Sequence, residues 1–187
     1  KVWRIMKKVI VSGANGFVGS AVVRELLKQQ EEDPVEVIAL DLEGNMDQIP
    51  RDRRVKCYPF DLAHVMQLKE QLKIEKADTF FHFAWAGSAG AERADASLQL
   101  QNVQWTLDCL KLAKEAGCRR FVNAGSIMES ETIRAVFCPG SQPGPGYIYG
   151  SAKLAAHTMC KSAAASLGIE LVWAMITNAY GAGEKSV

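Results

Sequence analysis

Tyr149 and Lys153 stand four residues apart in a segment of helical periodicity, so a phenol and an ammonium share one helix face. A phenol can give or take a proton, and a cation beside it favours the phenolate. The pair therefore suits reversible oxidation of an alcohol beside a hydride acceptor. Lowering a tyrosine from about 10 to about 7 requires roughly 4 kcal/mol of preference for phenolate. One unit charge at about 4 Å, in an effective dielectric of about 20, supplies roughly that much. Ser126 follows an apolar run, which puts its hydroxyl at the carboxyl edge of a sheet, within reach of a reacting oxygen. Each feature alone has an ordinary reading: Ser126 as a cap or turn residue, Tyr-x-x-x-Lys as a chance spacing.

A second group of residues suits an anion. Gly13, Gly16 and Gly19 form G-x-x-G-x-x-G between the first apolar run and the first helical pattern. Such a turn uses glycine where φ is positive and where a Cβ would block a pyrophosphate, with helix N-terminal N–H groups facing the charge. Asn15 can brace the turn through its side chain. Asp41 ends the second apolar run, roughly 20 residues beyond the turn, where a carboxylate accepts both ribose hydroxyls of an adenosine. It would repel a 2′-phosphate, and no arginine follows it directly; Arg51, Arg53 and Arg54 are distant in sequence. These residues imply NAD rather than NADP. A plain tight turn and an ordinary strand-ending aspartate are the alternative readings.

The elements that must position these groups alternate. Short apolar runs at 9–11, 35–40, 55–60, 79–83, 121–124 and 171–176 read as strands. Helical patterns cover 17–28, 64–73, 97–115 and 149–167, with Leu100, Val103, Leu107 and Leu110 at helical intervals and Gly117 as a stop. Residues 43–54 form a polar connection, and 138–146, with Pro139, Pro143 and Pro145, form a loop. Strands that are apolar throughout, alternating with helices, predict a parallel α/β sheet covered on both faces.

Composition bounds the rest. A chain of 187 residues, 48% hydrophobic, makes one domain. Twenty-two Lys and Arg against 21 Asp and Glu leave no basic surface for nucleic acid or an anionic membrane. The apolar runs are strand-length, so no spanning helix is expected. Met6 could be the natural start, and no signal peptide is evident. Cys57, Cys109, Cys118, Cys138 and Cys160 lack paired spacing and read as reduced, buried thiols of a cytoplasmic protein. His64, His82 and His157 are dispersed, so no metal site is expected.

Taken together, these residues resemble the extended short-chain dehydrogenase/reductase family, the NAD-dependent epimerases and dehydratases of nucleotide sugars. The likeness spans residues 7–184. It is carried by Ser12-Gly13-Ala14-Asn15-Gly16-Phe17-Val18-Gly19, Asp41, Asp61-Leu62, His82-Phe83-Ala84-Trp85, Asn102, Ser126, Tyr149-x-x-x-Lys153 and Asn178-Ala179-Tyr180-Gly181. The resemblance implies a Rossmann-type doubly wound sheet, with Phe17, Val18, Phe83, Ala84, Trp85 and Ile176 lining the cofactor and Asp61 and Leu62 contacting adenine. It makes Tyr149 the acid/base and has Lys153 hold the nicotinamide ribose and tune Tyr149. Ser126 would polarise the substrate oxygen, Asn102 would support the site, and Asn178 would approach a nucleotide-sugar substrate. It further implies a homodimer through helices 97–115 and 149–167.

Four departures qualify that implication. Ile127-Met128 stand where dehydratases place an Asp-Glu pair, and aliphatic side chains move no protons, which leaves epimerisation, 4-keto reduction or alcohol oxidation. Glu129-Ser130-Glu131 replace the usual Val-Tyr-Gly, and Trp85 replaces a small residue. Relatives continue past Gly181 into a substrate-binding lobe, which is expected to be missing here. The rival reading is a non-catalytic dinucleotide sensor or interaction module.

Overall fold

The computed structural model describes residues 7–28, 34–44, 46–72 and 76–181. Six strands form one sheet: β1 (Lys7–Ser12), β2 (Val35–Asp41), β3 (Val55–Pro59), β4 (Thr79–His82), β5 (Arg120–Ser126) and β6 (Glu170–Ile176). Their order is β3-β2-β1-β4-β5-β6 and every pair is parallel. Successive strand side chains point to opposite faces. Val9, Val11, Val37 and Ala39 therefore fill one core and Ile10, Ile38, Leu40, Phe80 and Phe121 the other. Burial on both sides is why these runs lack a polar alternation.

Helix α1 (Phe17–Lys28) covers the first core through Val23, Leu26 and Leu27. The second lies under α2 (Val65–Leu72), α3 (Ala96–Glu115) and α5 (Tyr147–Leu167), which contribute Val65 and Leu68, Cys109 and Leu110, and Cys160 and Ala164. The fold is thus the doubly wound α/β sheet expected from the alternation. The chain reverses direction across the sheet at β1 and β4, and their carboxyl ends, Ser12 and His82, flank the crevice where such sheets take ligands.

Several local expectations differ. Helix α4 (Met128–Val136) was not foreseen; it packs on α5. Its buried residues are Glu129 and Thr132, while Ile133, Val136 and Phe137 beside them are exposed, which inverts the apolar stripe that announces a helix. Leu100, counted among the apolar positions of α3, is 70% exposed; the buried face runs instead through Gln99, Asn102, Val103, Thr106 and Leu110. Of the five thiols, Cys57 and Cys138 are exposed rather than buried, and all five are free. Helix α5 starts two residues early, at Tyr147. Met6 and Lys73, the expected start of the chain and end of α2, lie outside the described residues.

Candidate active site

A cleft of about 590 Å³ opens at the carboxyl ends of β1, β4 and β5. Gly13, Gly16, Phe17, Val18, Gly19 and Asp41 line one end; Ser126, Tyr149 and Lys153 line the other. Between them come Phe83, Ala84 and Trp85, which follow β4, with Ile176 and Thr177 from the end of β6.

The glycine turn is fixed by close backbone approach. Gly13 takes φ +68°, and a Cβ there would sit 2.6 Å from the Ala84 nitrogen. At Gly19 a Cβ would collide with the Gly13 carbonyl oxygen, so the first turn of α1 can lie against β1 only without one. Asp41 steadies this turn, because its carboxylate accepts the Asn15 N–H at 2.7 Å and the Leu42 N–H at 2.9 Å. Asn15 is 8% exposed and faces away from the cleft wall. Its amide grips the 43–54 connection, donating to Asp47 at 3.1 Å and accepting the Gln48 N–H at 2.6 Å. Asp61 and Leu62 line the same end, where the Asp61 carboxylate accepts the Ala63 N–H at 2.9 Å.

The tyrosine end is built from buried polar side chains. Helix α5 carries both Tyr149 and Lys153 into the cleft, one turn apart. Lys153 is buried; its ammonium donates to the Ala124 carbonyl at 2.9 Å and sits 3.7 Å above the Trp85 ring. Burial pulls it down to about 7, against the opposing charge of Glu129. Burial likewise raises Tyr149, and a hydrogen bond from Ser126 and the charge of Arg93 only partly offset this. Desolvation dominates, and the lysine is spent on a carbonyl and an indole.

Behind Ser126 lies Glu129 of α4, 1% exposed and held by three donors. Its carboxylate accepts the Ser126 N–H at 2.8 Å and the Trp173 indole N–H at 3.0 Å, and pairs with His157 Nδ1 at 2.8 Å. His157 stacks on Trp173, ring centroids 4.5 Å apart. A buried carboxylate tolerates such a place only when its oxygens are satisfied, so this cluster fixes the backbone that aims Ser126. At the end of β4, His82 bonds Ser12 at 2.7 Å and Thr106 at 3.3 Å, and burial pulls its imidazole down to about 3.

The loop from β4 to α3 is tied down by two α3 amides that are each 1% exposed. Asn102 accepts the Ala86 N–H at 2.9 Å and donates to the Ala86 carbonyl at 2.8 Å. Gln99 accepts the Trp85 indole N–H at 2.8 Å and donates to the carbonyls of Gly87 at 2.9 Å and Glu92 at 3.1 Å. The loop ends in a 3₁₀ turn (Ala91–Ala94) that places the Arg93 guanidinium 4.4 Å from the Tyr149 ring centroid.

Residues 9–187 match the family model described as the NAD dependent epimerase/dehydratase family. The chain belongs to this family. GDP-mannose 3,5-epimerase 1 of Oryza sativa subsp. indica is 26% identical over 184 residues, covering 93% of this chain and 47% of the relative. An epimerase from Methanothermobacter thermautotrophicus shares the fold at TM-score 0.73 and 26% identity, over 96% of this chain and 54% of its own. The UDP-glucuronic acid 4-epimerase of Bacillus cereus, solved in complex with NAD, matches at TM-score 0.70 and 20% identity, over 95% and 59%. The chain thus spans about half the length of the epimerase/dehydratase relatives it matches.

Of the residues singled out in the sequence, Gly13, Gly16, Phe17, Val18 and Gly19 of the glycine turn, together with Asp41, Asp61, Leu62, Phe83, Ala84, Trp85, Ser126, Tyr149, Lys153 and Ile176, share this one cleft. Asn15 and Asn102 lie behind its wall as braces, and Asn178 is exposed outside it. Sequence reasoning passed over Trp105 of α3 and Ala124-Gly125 of β5, which line the cleft, and Arg93, Gln99 and Glu129, which act on it. The only sequence signal for the last three was Glu129, recorded as a break in the family's Val-Tyr-Gly pattern.

Proposed function

We propose that this chain is the nucleotide-binding part of a NAD-dependent enzyme that acts on a nucleotide-activated sugar, as an epimerase or a keto-reductase/dehydrogenase. The observation that carries the reading is that Ser126, Tyr149 and Lys153 meet in the cleft that also holds the glycine turn and Asp41. The names of the rice and Bacillus relatives, both epimerases of sugar nucleotides, support the substrate class.

The cradle suits a dinucleotide, since Gly13 and Gly19 leave free the space that Cβ atoms would fill. Asp41 would take the adenosine ribose and disfavour a 2′-phosphate, and Asp61 and Leu62 would flank adenine. Lys153 would meet the nicotinamide ribose. NAD, when bound, supplies the hydride acceptor.

In the oxidising direction Tyr149, ionised to the phenolate, would take the substrate hydroxyl proton as the carbon-bound hydrogen departs as hydride and the carbonyl forms. Ser126 donates a hydrogen bond to that oxygen. In reduction the raised Tyr149 is already in its proton-donating form. An epimerase returns hydride to the opposite face of the same carbonyl, while a keto-reductase starts from the carbonyl. Elimination chemistry is disfavoured, because Ile127 and Met128 offer no proton and Glu129 is engaged by three donors outside the cleft lining.

Asn178 would approach the substrate. Helices α3 and α5 would pair two copies, presenting the exposed Leu100 and Met159. Among the described residues no helix is long and apolar enough to cross a membrane. The five free thiols suit the cytoplasm.

The test is incubation with NAD and UDP-glucose, UDP-glucuronate or GDP-mannose, with products separated by chromatography. Tyr149→Phe should lower turnover by about 10³-fold, within the range for losing a general acid/base, and leave NAD affinity in place. A protein of the relatives' full length that carries this chain, binds NAD and converts none of these sugars would favour a binding module instead.

A further inference from the structure

We propose that Glu129, held by His157, is a positioning residue for Ser126: the pair presents the serine hydroxyl to the reacting oxygen and ties that presentation to the protonation of His157. This role rests on Ser126 being the group that polarises the substrate oxygen.

Ser126 is gripped at two atoms by the first two residues of α4. Its N–H is donated to the Glu129 carboxylate at 2.8 Å, and its Oγ accepts the Met128 N–H at 3.2 Å. With a backbone N–H filling one lone pair, the hydroxyl keeps its own proton for the cleft side, where a hydrogen bond reaches Tyr149. The serine is thus set as a donor.

Two glycines make room for the grip. A Cβ on Gly125 would collide with the Trp173 indole and lie 2.9 Å from the Glu129 carboxylate, so both side chains reach the back of Ser126 only because residue 125 has none. A Cβ on Gly150, next to Tyr149, would collide with the Thr132 hydroxyl and lie 2.7 Å from the Met128 carbonyl. Its absence lets α4 close onto α5.

Of the three donors on Glu129, only His157 can change charge. Its side chain is 29% exposed against 2% for that of Glu129, so the imidazole is the cluster's contact with solvent. The stack on Trp173, with ring planes 4° apart, holds it in line with the carboxylate. When neutral, Nδ1–H donates a hydrogen bond to Oε2; as imidazolium it forms an ion pair there. The ion pair draws charge from Oε1, the oxygen that accepts both the Ser126 and the Trp173 N–H. The titratable groups on which the Glu129 charge acts are Tyr149 and Lys153, both of α5; Ser126 and Trp173 face it as neutral donors from β5 and β6.

The test is NMR of the intact chain, with the Ser126 amide and the His157 imidazole assigned through Ser126→Ala and His157→Gln and followed together with pH. The Ser126 amide proton should move upfield as His157 gains its proton, with the same midpoint. In His157→Gln, which keeps a donor but does not titrate, that movement should vanish while the amide stays protected from exchange. Glu129→Gln should speed exchange of the Ser126 amide about tenfold, as a neutral amide oxygen replaces a charged acceptor. An amide shift that does not follow His157, or one that persists in His157→Gln and so reports Lys153, overturns the proposal. An unchanged exchange rate in folded Glu129→Gln overturns it as well. These readouts need no turnover, so a protein of the relatives' full length that shows the linkage but converts no sugar nucleotide overturns the enzymatic reading and not the linkage.

Discussion

The two ends of the cleft are held by different means. At the glycine turn the shape is set by backbone: Gly13 and Gly19 allow β1, β4 and α1 to touch, and Asp41 closes the turn by accepting two N–H groups. At the tyrosine end the shape is set by side chains that carry or exchange protons, namely Tyr149, Lys153, Glu129 and His157, of which Lys153 and Glu129 are buried. A backbone site is ready for its ligand at any ordinary pH. The side-chain site holds charge where the fold disfavours it, so function there opposes stability.

The strongest challenge to that contrast is Lys153→Met. The ammonium is pulled from 10.5 to about 7 in the folded chain, so between pH 7 and 10.5 the unfolded chain binds the extra proton. Stability therefore rises with pH across that window, and the cost of burying the charge is fully present below pH 7. Removing the amine should stabilise the fold at pH 6 by roughly 2–3 kcal/mol, after loss of the Ala124 hydrogen bond. The gain should fade towards pH 10 in denaturant titrations. A destabilised variant at pH 6 would show that the tyrosine end is not under electrostatic strain.

At the opposite end, Gly19→Ala tests steric control. The new Cβ meets a backbone oxygen that cannot swing aside, so denaturant unfolding should show a loss of about 1–3 kcal/mol, with no dependence on pH between 6 and 9. Cofactor binding should fall with it. Retained stability would mean that α1 can move off β1 and that the turn is less fixed than its contacts indicate.

The parts of this molecule that were legible in the sequence are those decided locally. Apolar strands, the glycine turn, the Asp41 ending and the Tyr149/Lys153 spacing each depend on neighbours a few residues away. Helix α4 was not legible because its buried face is Glu129 and Thr132, so the usual apolar periodicity is absent. Leu100 misled for the converse reason: it has the right spacing and faces outward. Arg93 and Gln99 gave no signal, since one acts across a loop on α5 and the other through carbonyls 7 to 12 residues away. The contacts of Lys153 with the Ala124 carbonyl and the Trp85 ring were not legible either, since spacing shows that a lysine is near but not what it binds.

The most direct test of the account is calorimetric titration of the purified chain with NAD and NADP, beside Asp41→Ala. Saturable NAD binding, stronger than NADP binding and weakened about tenfold in the variant, or roughly 1.4 kcal/mol, is the expected result. A folded chain that binds neither dinucleotide, or binds NAD equally well without the Asp41 carboxylate, would contradict it.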